Sequence, residues 1–197
     1  KSVHYQCRLS KLFSRRNAAQ FNVPLPLRDS FGNHGGENPA TIIVKKRHHF
    51  QLSGLTFEVY HTPGETDDHL FIWIPEYKAA FVGDNDYRLF PNLYSLRGTK
   101  PRWALDYVQS LDRVISWDPE ILISGQRPLL HGKKRIAEEL ICYRNAILFV
   151  HDATVKGMND GKDVHSLMRE ISFRLTMSIP EVYGSVAWSV RGIFEGY

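Results

Sequence analysis

The chain has 197 residues, 43% hydrophobic and 23% charged, with 25 Lys plus Arg against 21 Asp plus Glu. That is the composition of an ordinary globular domain, long enough to bury a sizeable core without disulfides or structural metal. Nearly balanced charge and the lack of a paired zinc-ligand finger argue against nucleic acid as a partner, and no run approaches the ~20 apolar residues of a transmembrane helix.

The opening, Lys1 to Gln6, has no apolar core and no cleavage signature, so no targeting signal is visible and a soluble chain is expected. It also lacks an initiator Met. Cys7 to Gln20 predicts a poorly patterned helix, followed by a turn-rich exit at Pro24-Leu25-Pro26. Gly32 to Pro39 holds three glycines, two asparagines and a proline, which predicts a mobile loop. The β-branched run Thr41-Ile42-Ile43-Val44 predicts a strand.

Leu55, Phe57 and Val59 alternate with Thr56, Glu58 and Tyr60, a strand with one buried face. Leu70 to Ile74 is continuously apolar and predicts a strand buried on both faces. Lys78 to Val82 reads as its hairpin partner through Pro75-Glu76-Tyr77. Ala104, Val108, Leu111 and Ile115 lie on one helix face. Glu120 to Ser124 is a short buried strand. Ile136, Leu140, Tyr143, Ile147, Val150 and Thr154 mark a long helix, which Gly157 is expected to end or bend. Val164 to Leu175 and Tyr183 to Tyr197 predict two more helices. Cys7 and Cys142 are the only cysteines. Two make neither a disulfide framework nor a structural zinc site. Cys142, on the long helix, is expected to be a buried free thiol.

Two loops carry candidate chemistry. His61 to His69 joins two strands and contains three carboxylates and two histidines. Gly83-Asp84-Asn85-Asp86 follows the next strand. Carboxylates gathered at adjacent strand ends repel unless a cation neutralises them, and Asp, Glu and His suit zinc. The same Gly, Pro, Asn and Asp residues also simply build turns. From the residues alone both readings stand.

His61-Thr62-Pro63-Gly64-Glu65-Thr66, a hydrophobic hairpin and then Gly83-Asp84-Asn85 resemble the second half of a metallo-β-lactamase-fold hydrolase. That family has an "HTPGHT" loop whose second His binds metal and a "GD" whose Asp bridges two metals. Glu65 stands at the second His, a substitution characteristic of the alkyl sulfatase branch. Asn92-Leu93-Tyr94-Ser95-Leu96-Arg97-Gly98 nearly matches that branch's "NLYTLRG". Tyr143 to Gly157 and Tyr183 to Arg191 resemble it too, so the resemblance spans about residues 55–197. It implies an α/β fold, the C-terminal half of an αββα sandwich followed by a helical extension. Residues 1–132 would form the partial domain and 133–197 the extension. It implies zinc in a two-metal site, with Glu65 a ligand of one ion and Asp84 the bridge. Arg97 and Asn92 would face the sulfate. A guanidinium fork does suit an oxyanion, although an Arg in such a segment also serves as an ordinary surface ion pair.

The sequence departs from the family in two places. The principal "HxHxDH" motif is absent. His48-His49 lies in a strand-like basic segment, where adjacent side chains face opposite ways and cannot easily share one ion. The closing His of the family is replaced: in Ser124-Gly125-Gln126-Arg127-Pro128, Gly125 stands at its position. His131 is expected not to replace it. Two readings follow. One is a metal-dependent hydrolase cleaving a sulfate or related ester with a metal-bound hydroxide. Its first half would come from a segment before Lys1 or from a partner chain, and the family pattern would run on past Tyr197. The other is a degenerate, non-catalytic subunit, a structural or interaction component of a larger assembly. A homo-oligomer or larger complex is expected in either case.

Overall fold

The computed structural model describes residues 41–94, 102–173 and 179–197. The predicted helix over Cys7–Gln20, the loop over Gly32–Pro39, Arg97 and Leu175 lie outside them. The chain divides into two units. One comprises Val44–Tyr94 and Pro101–Tyr197. The other, Lys1–Ile43 with Ser95–Lys100, lies almost wholly outside the described residues.

The main unit starts with a hairpin, β1 (Arg47–Leu52) and β2 (Leu55–His61). Ser53 and Gly54 between them both take positive φ, 52° and 81°. That two-residue turn matches the twist of paired strands and sets the register Leu52↔Leu55 through Arg47↔Tyr60. β3 (Leu70–Ile74) and β4 (Ala79–Gly83) follow, joined by a 3-10 turn at Pro75–Tyr77. Helix α1 (Ala104–Ser116) then crosses over to β5 (Ile121–Ser124), which pairs parallel to β4. β6 (Leu130–His131) closes a six-stranded sheet in the order β1-β2-β3-β4-β5-β6. The other pairings are antiparallel. The remaining helices are α2 (Lys133–Asn159), α3 (Val164–Glu170) and α4 (Val186–Gly196).

One core joins the sheet to the helices. Phe71, Ala80, Val82 and Leu122 pack with Tyr107, Leu111, Val114, Ile136, Leu140 and Ile147. Trp117, just after α1, stacks on Trp73 and meets the Phe71 ring edge-on. The opposite sheet face carries Val59, Ile72, Phe81 and Ile123 in one cross-strand row. An apolar row on the face away from the helices is what a second layer would cover. No helix among the described residues is long and apolar enough to cross a membrane.

Several expectations change here. Thr41 to Val44 forms no strand; pairing begins at Arg47. Leu70 is 40% exposed, so β3 is buried on both faces only further along. Cys142 is exposed rather than buried. It lies two positions past Leu140, about 200° round the helix from the buried stripe. Gly157 does not end α2, which runs on to Asn159. Gly157 instead lets α3 approach, because a Cβ there would overlap the buried Leu167 side chain. The last helix starts at Val186, leaving Tyr183 in the preceding turn.

Candidate functional site

Strand direction decides where the candidate residues gather. β2, β4 and β5 all point the same way, so the loops leaving their C-terminal ends meet at one end of the sheet. These are residues 62–69, 84–94 and 125–129. His131 is excluded by the same register. It pairs with Ile121, at the far end of β5 from Ser124. At ~3.3 Å per residue that end lies roughly 10 Å from the loops.

The first loop is held throughout. The Thr62 N–H donates to the His69 carbonyl at 2.9 Å, closing its base, and the Gly64 N–H donates to the Thr66 carbonyl at 3.1 Å. His61 Nε2–H donates to the Asp67 carbonyl at 2.8 Å. Ser110 of α1 donates to the Pro63 carbonyl at 2.7 Å. Asn85, fully buried, ties this loop to the next. Its Nδ2 donates to the Thr62 carbonyl at 2.9 Å, and its Oδ1 accepts the Glu65 N–H at 2.7 Å. Gly64 is required beside it, since a Cβ would lie 2.7 Å from Asn85 Cγ.

The Glu65 carboxylate pairs with Arg102 Nη2, and its Oε2 lies 3.4 Å from the Tyr87 hydroxyl. Arg102 Nη1 donates to the Asn92 carbonyl at 2.6 Å. Burial works against the Arg102 charge, but Glu65, then Tyr183 and Tyr87, hold it above the ordinary guanidinium value. Tyr87, Tyr107 and Tyr143 cluster beneath, with Tyr107 and Tyr143 hydroxyls 3.3 Å apart. Burial pushes all three phenols well up, so they remain protonated.

Asp84 points toward the third loop. Its Oδ1 accepts from Gln126 Nε2 at 3.4 Å, and a Cβ on Gly125 would overlap that same oxygen. His69 lies alongside, and a Cβ on Gly83 would come 2.9 Å from its Nε2. His69 Nδ1 is buried without a hydrogen-bond partner. Burial lowers the His69 pKa, while Asp84 and Asp68 oppose that shift.

Below these, fully buried Asp86 accepts from Ser124 Oγ at 2.9 Å and lies 2.7 Å from Arg127 Nη2. Arg127 also pairs with Glu139 of α2, which Arg88 approaches at 3.3 Å. The C-terminal segment supports the second loop from outside. Phe90 donates its N–H to the Pro180 carbonyl and accepts the Gly184 N–H, each at 2.9 Å.

Glu65 and Asp84 thus stand on adjacent loops stitched together by Asn85, and Asn92 joins them through Arg102. Arg97 lies outside the described residues. Carboxylates suit zinc, but zinc takes about four donors. Among the described residues no group of three His, Cys, Asp or Glu could hold a metal ion. They fit part of a site, and further donors would have to come from elsewhere. Reading the sequence alone named neither Arg102 nor Tyr87, and it quoted Asn85 in the motif and His69 in the candidate loop without giving either a task of its own. A lone Arg ahead of a helix carries no periodic signal.

Residues 12–126 match the metallo-beta-lactamase superfamily. A linear primary-alkylsulfatase from Pseudomonas sp. (strain ATCC 19151) is 29% identical over 152 residues, 74% of this chain and 29% of the relative. An alkyl/aryl-sulfatase from Saccharomyces cerevisiae is 25% identical over 168 residues, 81% of this chain and 26% of the relative. The chain therefore spans between a quarter and a third of these relatives' length. Among solved structures, a stereoselective inverting sec-alkylsulfatase from Pseudomonas sp. superposes with a TM-score of 0.72 at 20% identity, covering 79% of this chain and 26% of that one. This last likeness shows the fold.

Proposed function

The chain belongs to the metallo-beta-lactamase superfamily, and on that premise we propose that it supplies the second half of the catalytic domain of an alkylsulfatase-like metal-dependent hydrolase. The substrate class is a sulfate or related anionic ester. Residues 1–132 contribute the partial domain and 133–197 the helical extension. Glu65 and Asp84 are the metal ligands this chain provides, with the remaining donors in a segment or partner outside it. Bound zinc would supply Lewis acidity and an activated water. Asn92 and Arg97 contact the anionic group.

The observation that carries this reading is the double use of Asn85, which makes the Glu65 and Asp84 loops one rigid piece. The chain's own residues then have defined tasks. Asn85 fixes the Glu65 backbone. The neutral tyrosines form a floor that adds no charge beneath it. The test is zinc content and dodecyl sulfate hydrolysis by the purified whole protein. Glu65→Gln and Asp84→Asn should each lower zinc affinity at least ~10-fold and abolish turnover. A zinc-free, inactive wild type refutes the proposal.

Gly125 favours a second reading, a non-catalytic superfamily member within a larger assembly. It offers no donor, and Asp84 Oδ1 occupies the space a side chain there would need. Recovery of the protein without zinc, in a stable complex, would support this reading.

A further inference from the structure

We infer that Arg102 is a positioning residue of this site, one guanidinium that holds the Glu65 carboxylate and the Asn92 backbone in a single geometry. The inference rests on Glu65 acting as a ligand. Two different nitrogens of Arg102 serve two acceptors on two loops: Nη1 the Asn92 carbonyl at 2.6 Å and Nη2 the Glu65 carboxylate. Tyr183, from the C-terminal segment, is close enough to favour the Arg102 charge. That side chain is only 7% exposed. Its own position is set by α1, which begins two residues later and whose first turn closes through the Tyr107 N–H on the Trp103 carbonyl.

Glu65 is consequently gripped at both ends, its N–H by Asn85 and its carboxylate by Arg102. A buried ion pair is not by itself a stabilising device, because desolvation offsets the attraction. Its consequence here is orientation. The planar fork of Arg fixes two acceptors at once. A Lys would retain the charge but offer a single ammonium on a flexible stem.

The experiment uses the whole protein as wild type, Arg102→Lys, Arg102→Met, Glu65→Gln and the Arg102→Met/Glu65→Gln double variant. Zinc affinity is read by chelator competition, folding by the denaturation midpoint, and turnover on dodecyl sulfate as kcat and KM. Arg102→Lys should keep a near-wild-type midpoint yet lose ~10–100-fold in zinc affinity, with the kinetic loss in kcat rather than KM. Wild-type zinc affinity in Arg102→Lys overturns the inference. If the wild type binds no zinc, the ligand reading of Glu65 fails, and the double variant then decides on Arg102. A midpoint lowered by Arg102→Met and partly restored by adding Glu65→Gln supports its grip on Glu65. Independent, additive effects overturn it.

Discussion

Arg127→Met is expected to be strongly destabilising although it lies away from the candidate metal ligands. Asp86 is 0% exposed, and its Oδ1 has no hydrogen-bond partner. Burial pushes its carboxyl above the usual range, and Arg127 is the largest influence opposing that shift. Without the guanidinium, the carboxylate keeps the Ser124 hydroxyl at 2.9 Å and loses the cation at 2.7 Å. Glu139 loses a partner too, but it retains Arg88 at 3.3 Å and is 18% exposed, so the penalty concentrates on Asp86. Met is close to Arg in length and preserves most of the packing.

Removing one partner of a buried pair costs about 3–5 kcal/mol, a large part of the ~5–15 kcal/mol that holds a domain folded. The charge itself is the source of the cost, so adding Asp86→Asn should recover at least half of it. The assay is chemical denaturation of the whole protein at neutral pH, comparing wild type, both single variants and the double. A loss for Arg127→Met below ~1 kcal/mol, the range of an exposed pair, would refute the reasoning. So would a double variant no more stable than Arg127→Met.

Gly184→Ala should lower stability by ~1–3 kcal/mol, because the added Cβ would run into backbone, including the Phe90 carbonyl oxygen at 2.6 Å. An unchanged denaturation midpoint would count against that packing. Asp163 caps α3, accepting the His165 and Ser166 N–H groups at 3.0 and 3.1 Å. The Ser166 hydroxyl and N–H hold its carboxyl below the ordinary Asp value. A depressed pKa stabilises above that ordinary value and fades as pH falls through the folded one. Asp163→Ala should therefore be less stable than wild type near neutral pH, and the gap should close in acid. A gap independent of pH would show that the charge is not involved. Gly125→His requires Asp84 Oδ1 to move aside. In the whole protein it should raise bound zinc, and unchanged zinc content would argue against residue 125 facing the metal.

The fold was legible wherever burial is periodic. α1, α2 and α4 follow apolar spacing because each lays one face on a shared core, to which β3, β4 and β5 add Phe71, Ala80, Val82 and Leu122. Elements held by pairing alone were harder to read. β1 is almost entirely exposed, and its burial pattern carries no alternation. β6 is two residues long and exists through its ladder to β5. Gly157 looked like a helix breaker because glycine's local propensity points that way. The contact with Leu167, ten positions further on, explains it instead.

For the candidate site, the motif residues could be read and the residues that hold them could not. Glu65 and Asp84 were picked out of several loop carboxylates by the resemblance to the family motifs, not by their position at strand ends alone. Asn85, Arg102 and Arg127 matter only through partners distant in sequence. The same distance bears on the helical segment after residue 132. Glu139 of α2 pairs with Arg127, Pro180 and Gly184 bond the Phe90 backbone, and Tyr183 reaches Arg102. Phe90 and Arg127 belong to the second and third loops, and Arg102 bonds Glu65 and the Asn92 carbonyl, so these contacts reach the site through residues that are not candidate ligands. In physical terms the helices therefore act on this site by limiting how far its loops can move. If Glu65 and Asp84 act together as proposed, the site depends on that restraint as much as on the donors themselves.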